Sequence, residues 1–255
     1  MSVTSLAERL KEGSPLLSAW CGIPDPAVAG LLARESFDAV TLDMQHGSYD
    51  VATAMRAIPL VAAAAKPALA RIPVGEFQTA SKLLDAGVSA IVAPMINTVD
   101  DARRLVSFMK FPPEGARSWG PHGGLVFTGL TPSDYLKQAN GFSLAFAMIE
   151  TREALDSVDA ILAVPGLDGI FLGPADLSVT LSRGEILDPA SQAVDQALAH
   201  ALARGRAAQK FIGIHAITGA RASLLVKQGF SLVAIASDSA FLRAGAQEAI
   251  KAARG

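Results

Sequence analysis

A chain of 255 residues with 51% hydrophobic residues, a mean hydropathy of +0.35 and a formal net charge of −2 can bury a large core and has no clustered basic footprint for nucleic acid. Its single cysteine, Cys21, excludes an internal disulfide framework and fits a reducing compartment. The N-terminal MSVTSLAERLKEGSP lacks an apolar leader core, and the longest nearly uncharged apolar run, residues 57–65, is interrupted by Pro59, so a cytoplasmic protein with no membrane partner is expected.

Short apolar runs alternate with helical patterns along the whole chain. The amphipathic stretch Leu6–Lys11 stops at Gly13 and Pro15. Strands are expected at residues 16–21, 39–42, 68–72 and 90–94, with helices beginning at Pro26, running from the polar loop DMQHGSYD to about Ala65, and covering residues 77–85 and 99–109. Pro26 suits a first helical position, where its fixed φ and missing N–H cost nothing. From Phe111 to Asn140 the rhythm breaks into a Gly- and Pro-rich connection in which Thr131-Pro132-Ser133-Asp134 can start a short helix. So long a connection in a compact domain is commonly functional. Strands resume at residues 144–149, 169–172, 211–216 and 232–236, with helices at 155–164, 189–204, 219–228 and 239–253.

Eight strand–helix units with near-continuous apolar strands predict an α/β fold of the (β/α)8 TIM barrel type, as a single domain over residues 1–255. An open doubly wound sheet would bring a Gly-rich turn after the first strand, and WCGIPDP is no such turn.

In a barrel the chemistry sits at the carboxyl ends of the strands. Those ends carry Trp20, Asp43 with His46, Arg71, Pro94 with Asn97, Glu150, Gly173 with Asp176, His215, and Ser237 with Asp238. Two carboxylates from consecutive strands, Glu150 and Asp176, suit a hard divalent ion that keeps positions for water and substrate. The competing reading is that Glu150 pairs with Arg152 and Asp176 starts a helix; the richness of the shared rim favours the metal. Asp43, three residues before His46, is spaced to accept from one imidazole nitrogen and raise the basicity of the other. Arg71, directly after a buried run, must be paired or point at an anion; Glu76 and Asp43 are its candidate partners. Gly173 permits close backbone approach, and beyond Pro174, which has no N–H, Ala175 and Asp176 can present theirs to a carboxylate. No lysine stands at a strand's carboxyl end, which argues against a Schiff base.

LDMQHG, ALARIP, LLDAGVSAIVAPMINT, KFPPEGARS, the strand ending in Glu150, and LGPADLS, taken together and in order, resemble the HpcH/HpaI aldolase family. The resemblance implies a metal-dependent aldolase of (β/α)8 fold. It implies that Glu150 and Asp176 hold a divalent ion (Mg2+, Mn2+ or Co2+), that His46 and Asp43 form an acid–base pair, and that Arg71 contacts the 2-oxo acid. It further implies that the N–H groups around Ala175 and Asp176 hold the substrate carboxylate, with Gly173, Pro174, Ala175, Trp20 and His215 among the substrate-binding residues. Asp85 occupies a position from which the family reaches a neighbouring subunit's site, although Gly87 also makes it an ordinary helix end. A homohexamer, a trimer of dimers with the last helix on another protomer, is implied as well.

The implied reaction is reversible aldol cleavage of a 4-hydroxy-2-oxo acid to pyruvate or hydroxypyruvate and an aldehyde. Two positions depart from the family pattern: Met148 stands where glutamine is common, and His215 replaces an apolar residue. Two alternatives stay open, an acyl-CoA lyase of malyl- or citramalyl-CoA type and a non-catalytic barrel that binds a metal and a 2-oxo acid. The first wants basic residues for the CoA phosphates, and residues 111–143 offer only Arg117 and Lys137.

Overall fold

The computed structural model describes residues 5–255. Eight parallel strands close into one barrel in chain order: β1 (Leu16–Cys21), β2 (Ala39–Asp43), β3 (Ala68–Arg71), β4 (Ala90–Ala93), β5 (Leu144–Ile149), β6 (Gly169–Leu172), β7 (Phe211–Ala216) and β8 (Leu232–Ile235). Strand β1 pairs with both β2 and β8, so no edge remains open.

The two-residue period of the strands separates the core into two shells. Leu16 and Trp20 of β1, Leu69 of β3, Val92 of β4, Phe146 and Met148 of β5, and Phe171 of β6 pack together inside the barrel. Ala19 and Cys21, Val40 and Leu42, Ala147 and Ile149, and Ile170 and Leu172 pack outward against the helices. Helix Leu6–Lys11 plugs the amino-terminal end of the barrel, with Leu6, Ala7 and Leu10 joining the inner shell. Continued upward, the inward series places Asp43, Arg71, Glu150, Gly173 and His215 on one rim. The register agrees, because Asp43 lies opposite Arg71 across β2 and β3.

Helix starts follow local capping chemistry. The side chains of Asp25, Asp50, Thr98, Thr131, Thr151, Ser191, Thr218 and Ser237 each accept a backbone N–H of the turn they begin. Three expectations are corrected. The helix expected over residues 155–164 is two short ones, Arg152–Asp156 and Val158–Leu162, broken at Ser157. The helix expected from residue 189 begins at Gln192, because Ser191 rather than Pro189 supplies the cap. The connection after Met109 holds two helices, His122–Thr128 and Pro132–Phe142, where only the second has a start signal in the sequence. Among the described residues no helix is long and apolar enough to cross a membrane.

Candidate active site

The carboxyl ends of the strands surround a cavity of about 610 Å3 whose wall includes Trp20, Asp43, His46, Arg71, Gly173, Pro174, Ala175, Asp176 and His215. These residues come from five different strands and the loops that follow them, and no lysine lines the wall. A second cavity, about 700 Å3, opens at the opposite end beside the N-terminal helix and shares none of them.

The centre of the wall is a fork. Arg71 Nε donates to Asp43 Oδ1 at 2.8 Å and its Nη2 donates to Asp43 Oδ2 at 2.7 Å. Trp20 Nε1 donates to Oδ2 at 3.2 Å, and the Arg71 guanidinium lies over the Trp20 ring, 4.9 Å from its centroid. Backbone N–H groups of Gln45 (3.1 Å), His46 (3.4 Å) and Gly47 (3.0 Å) complete the shell of the carboxylate. Burial opposes the charge on Asp43, but the hydrogen bonds and charge of Arg71 outweigh it and hold the carboxyl below its usual range. Gly47 is required for this turn: a Cβ there would lie 2.3 Å from the Asp43 carbonyl oxygen and 2.8 Å from Gly22 Cα.

This shell revises the expected Asp43–His46 pair. The hydrogen bond between them comes from the backbone N–H of His46, not its ring. Because β2 and β3 set Asp43 and Arg71 in register on one face, the guanidinium takes both carboxylate oxygens. His46 lies beyond, exposed on the cavity wall.

Beneath the wall, Glu150 is 1% exposed. Its Oε1 accepts the N–H of Met95 at 2.7 Å, and Met95 adopts a left-handed backbone with φ 54° just beyond β4. Its Oε2 faces Gly173, where a Cβ would stand only 2.7 Å away, so this glycine is what lets the β6 loop close over the carboxylate. Glu150 is pushed up to about 7, chiefly by burial and also by the charge of Asp176, against the opposing effects of the Met95 N–H and Arg71. Asp176 itself is open to the cavity. It stands in the first turn of helix Pro174–Leu181, where Leu177 is the first residue to donate within the helix, to Gly173 O at 3.0 Å. The N–H groups of Ala175 and Asp176 are therefore available to a ligand.

His215 and Asp85 each have a protein partner. His215 donates from Nε2 to the Ala236 carbonyl at 2.9 Å and meets Trp20 edge to face. Asp85 does not line the cavity. It takes Arg117 Nη2 at 2.7 Å, pairing with a guanidinium that is 0% exposed. Asn97, another strand-end residue, accepts the Thr151 hydroxyl at 2.6 Å. The role of Met95 carries no sequence signal, because a backbone N–H leaves no side-chain signature.

The model of the HpcH/HpaI aldolase/citrate lyase family matches residues 17–244. The chain belongs to this family. It is accordingly a carbon–carbon lyase. A hydroxypyruvate/pyruvate aldolase of Rhizorhabdus wittichii is 41% identical over 246 residues, which cover 95% of this chain and 96% of that protein. A 4-hydroxy-2-oxo-heptane-1,7-dioate aldolase of Salmonella paratyphi B is 33% identical over 240 residues, 94% of this chain and 90% of that one. A crystal structure of an HpcH/HpaI aldolase/citrate lyase family protein from Burkholderia cenocepacia superposes with a TM-score of 0.87 at 30% identity, covering 98% of this chain and 99% of that one.

Proposed function

We propose that this HpcH/HpaI-family enzyme catalyses reversible aldol cleavage of 4-hydroxy-2-oxo acids, releasing pyruvate or hydroxypyruvate and an aldehyde. The observation that carries the reading is an open Asp176, a forked Arg71 and the imidazole of His46 on one cavity, with the buried carboxylate of Glu150 beside Asp176 beneath its wall.

The donor set fits a divalent ion. Glu150 is buried with a like charge at Asp176 and has only one backbone N–H on its own oxygens, an arrangement that a cation between the two would relieve. Two protein carboxylates would leave positions for solvent and substrate on a hard divalent ion. Mg2+, Mn2+ and Co2+ are the candidates. Bound there, such an ion would polarise the 2-oxo carbonyl and share the charge that develops on its oxygen.

The remaining work falls to the protein. The N–H groups of Ala175 and Asp176 hold the C1 carboxylate at the amino end of their helix. Arg71 spends Nε and Nη2 on Asp43 and keeps Nη1 for the substrate's keto oxygen. Asp43 and Trp20 fix that guanidinium, so its charge is preorganised where the enolate forms. His46 takes the proton of the C4 hydroxyl; the C3–C4 bond then breaks, its electron pair passes into the enolate, and the aldehyde leaves. Protonation of C3 completes the donor product. His46 has its side chain free of Asp43, so proton transfer rests on the imidazole alone.

The acyl-CoA alternative loses its footing in the fold of the 111–143 connection. Arg117, one of the two cations available to CoA phosphates, is buried against Asp85 and Phe111. Hexameric assembly belongs to the same proposal. Helix Asp238–Arg254 buries only Asp238, and it exposes Leu242 and Ile250, as a subunit contact would require. A free, buried Cys21 fits the reducing cytoplasm.

The test is an assay of the purified protein with Mn2+ and a panel of 4-hydroxy-2-oxo acids, followed by His46→Ala. The expected result is metal-dependent release of the 2-oxo acid that falls by a factor of roughly 100 or more in the variant. Retro-aldol turnover that survives EDTA, or that His46→Ala leaves intact, would overturn the proposal.

A further inference from the structure

His215 stands on β7 where the inward series of that strand reaches the cavity. Its Nε2 lies 2.9 Å from the carbonyl oxygen of Ala236. A carbonyl oxygen only accepts, so Nε2 carries the ring proton. In a neutral imidazole the other nitrogen, Nδ1, is then an acceptor and not a donor. Burial lowers the ring's proton affinity and Arg71 lowers it further, against the opposing effects of the Ala236 carbonyl and Asp43.

Two features hold this ring in place. Ala236 adopts a left-handed backbone with φ 48°, a conformation that non-glycine residues seldom take, and its own N–H donates to Ala216 O at 2.7 Å. Strain of this kind persists only where the surroundings over-determine it, and here it accompanies the carbonyl that fixes the imidazole. On the other side the ring meets Trp20 at 5.1 Å between centroids and 73° between planes. Because Arg71 lies over the same Trp20 ring, one aromatic side chain contacts both the fixed imidazole and the guanidinium that serves the keto group. Met148 and Phe171 add apolar surface to the same cavity.

We propose that His215 determines donor specificity: its Nδ1 accepts a hydrogen bond from a hydroxyl on C3 of the 2-oxo acid, so the enzyme favours 3-hydroxy-2-oxo acids of the hydroxypyruvate type over pyruvate. This rests on the 2-oxo-acid aldolase reading above and adds the residue that distinguishes the two donors. A C3 methyl group has no hydrogen to donate and would leave Nδ1 covered and unsatisfied, whereas a C3 hydroxyl donates to it.

The experiment compares kcat/KM for addition of hydroxypyruvate and of pyruvate to one aldehyde that carries no hydroxyl, with Mn2+ present. The proteins are the wild type, His215→Phe and His215→Gln. Phenylalanine keeps an aromatic edge for Trp20 and removes the acceptor; glutamine restores an acceptor. The expected result is a hydroxypyruvate-to-pyruvate ratio lowered roughly tenfold in His215→Phe, the size of one neutral hydrogen bond, with partial recovery of that ratio in His215→Gln. An unchanged ratio, or an equal loss on both donors, overturns the role of His215 while leaving the aldolase reading intact. A wild type inactive with either donor overturns both. Nitrogen-15 NMR of the imidazole gives a second readout that needs no turnover: protonated Nε2 and bare Nδ1 are expected, and the opposite tautomer overturns the proposal.

Discussion

Arg71 and Asp43 face each other across neighbouring strands and are joined by two parallel hydrogen bonds of 2.8 and 2.7 Å, Nε to Oδ1 and Nη2 to Oδ2. A planar fork on a buried carboxylate fixes the direction of the third nitrogen, which an ammonium on a flexible stem cannot do. Arg71→Lys keeps the charge and loses the fork. We expect kcat to fall by roughly 100-fold, with folding retained because lysine can still neutralise Asp43. Asp43→Asn removes the charge that pins the guanidinium and should show a comparable loss in kcat. Steady-state kinetics with circular dichroism as the folding control decide this; a kcat within a few-fold of wild type in either variant would remove the fork from the mechanism.

Glu150 supplies a pH-dependent prediction for the metal-free protein. Its carboxyl is raised from 4.5 to about 7, chiefly by burial. A folded-state value above the unfolded one favours the fold in acid, below about 4.5, and that contribution is lost as the pH rises through about 7. The size is on the order of 3 kcal/mol, because each tenfold gain in proton affinity on folding corresponds to about 1.4 kcal/mol. Urea denaturation in EDTA from pH 5 to pH 8 should show this decline, and Glu150→Gln should flatten it. Because a divalent ion needs the ionised carboxylate, binding near pH 6 should release close to one proton and weaken as the pH falls. Calorimetric titration in buffers of different ionisation enthalpy measures that proton. A value near zero would mean that Glu150 is already ionised before the metal arrives.

The sequence carried the site further than it carried the frame beneath it. Asp43, Arg71, Glu150, Gly173 and His215 follow from a single rule, that side chains alternate along a strand, applied to apolar runs whose ends are visible in the chain. Pairing over distance is legible only in part. Nothing near Asp85 in the sequence announces Arg117, 32 residues on, whereas Asp43 is one of the two partners the sequence offers Arg71, and the fold pairs them in preference to Glu76 for Arg71 and to the ring of His46 for Asp43. Local spacing suggested His46, but register across two strands decided for Arg71. The left-handed backbones of Met95 and Ala236 are likewise set by the loops that pack around them rather than by residue type.

Lys110 is one such unannounced element. It is 0% exposed, and its Nζ donates to Asn140 O at 2.6 Å, Ser143 O at 2.7 Å and Asp168 Oδ2 at 2.7 Å. It thereby ties the end of helix Pro132–Phe142 to the starts of β5 and β6, away from the cavity. Burial raises the Asp168 carboxyl despite the opposing charge of Lys110, so the lysine is what keeps that acid tolerable inside. Lys110→Met matches the stem and removes the charge. It should cost about 3–5 kcal/mol in denaturant unfolding, because it leaves the partner carboxylate buried and unpaired. The kcat/KM per folded molecule should be unchanged; a variant as stable as wild type would show that the pair contributes nothing net.

Asp238 closes the seam of the barrel above the cavity. Its Oδ2 accepts the N–H groups of Gly22 at 2.9 Å and Ile23 at 2.8 Å, 216 and 215 residues away in sequence, and its Oδ1 accepts the N–H of Ser239 at 2.7 Å. Those bonds tie the loop after β1 to the first turn of the last helix, and both segments line the cavity. Asp238→Ala strips the acceptor from all three N–H groups, and each one left dry costs about 1–3 kcal/mol. Water can reach part of this loop, so the total should come to about 2–4 kcal/mol rather than the full sum. Hydrogen exchange at Gly22 and Ile23 should accelerate beyond what the global loss explains, and KM should rise more than kcat falls. If exchange at those two amides merely follows global unfolding, the carboxylate does no more than cap its own helix.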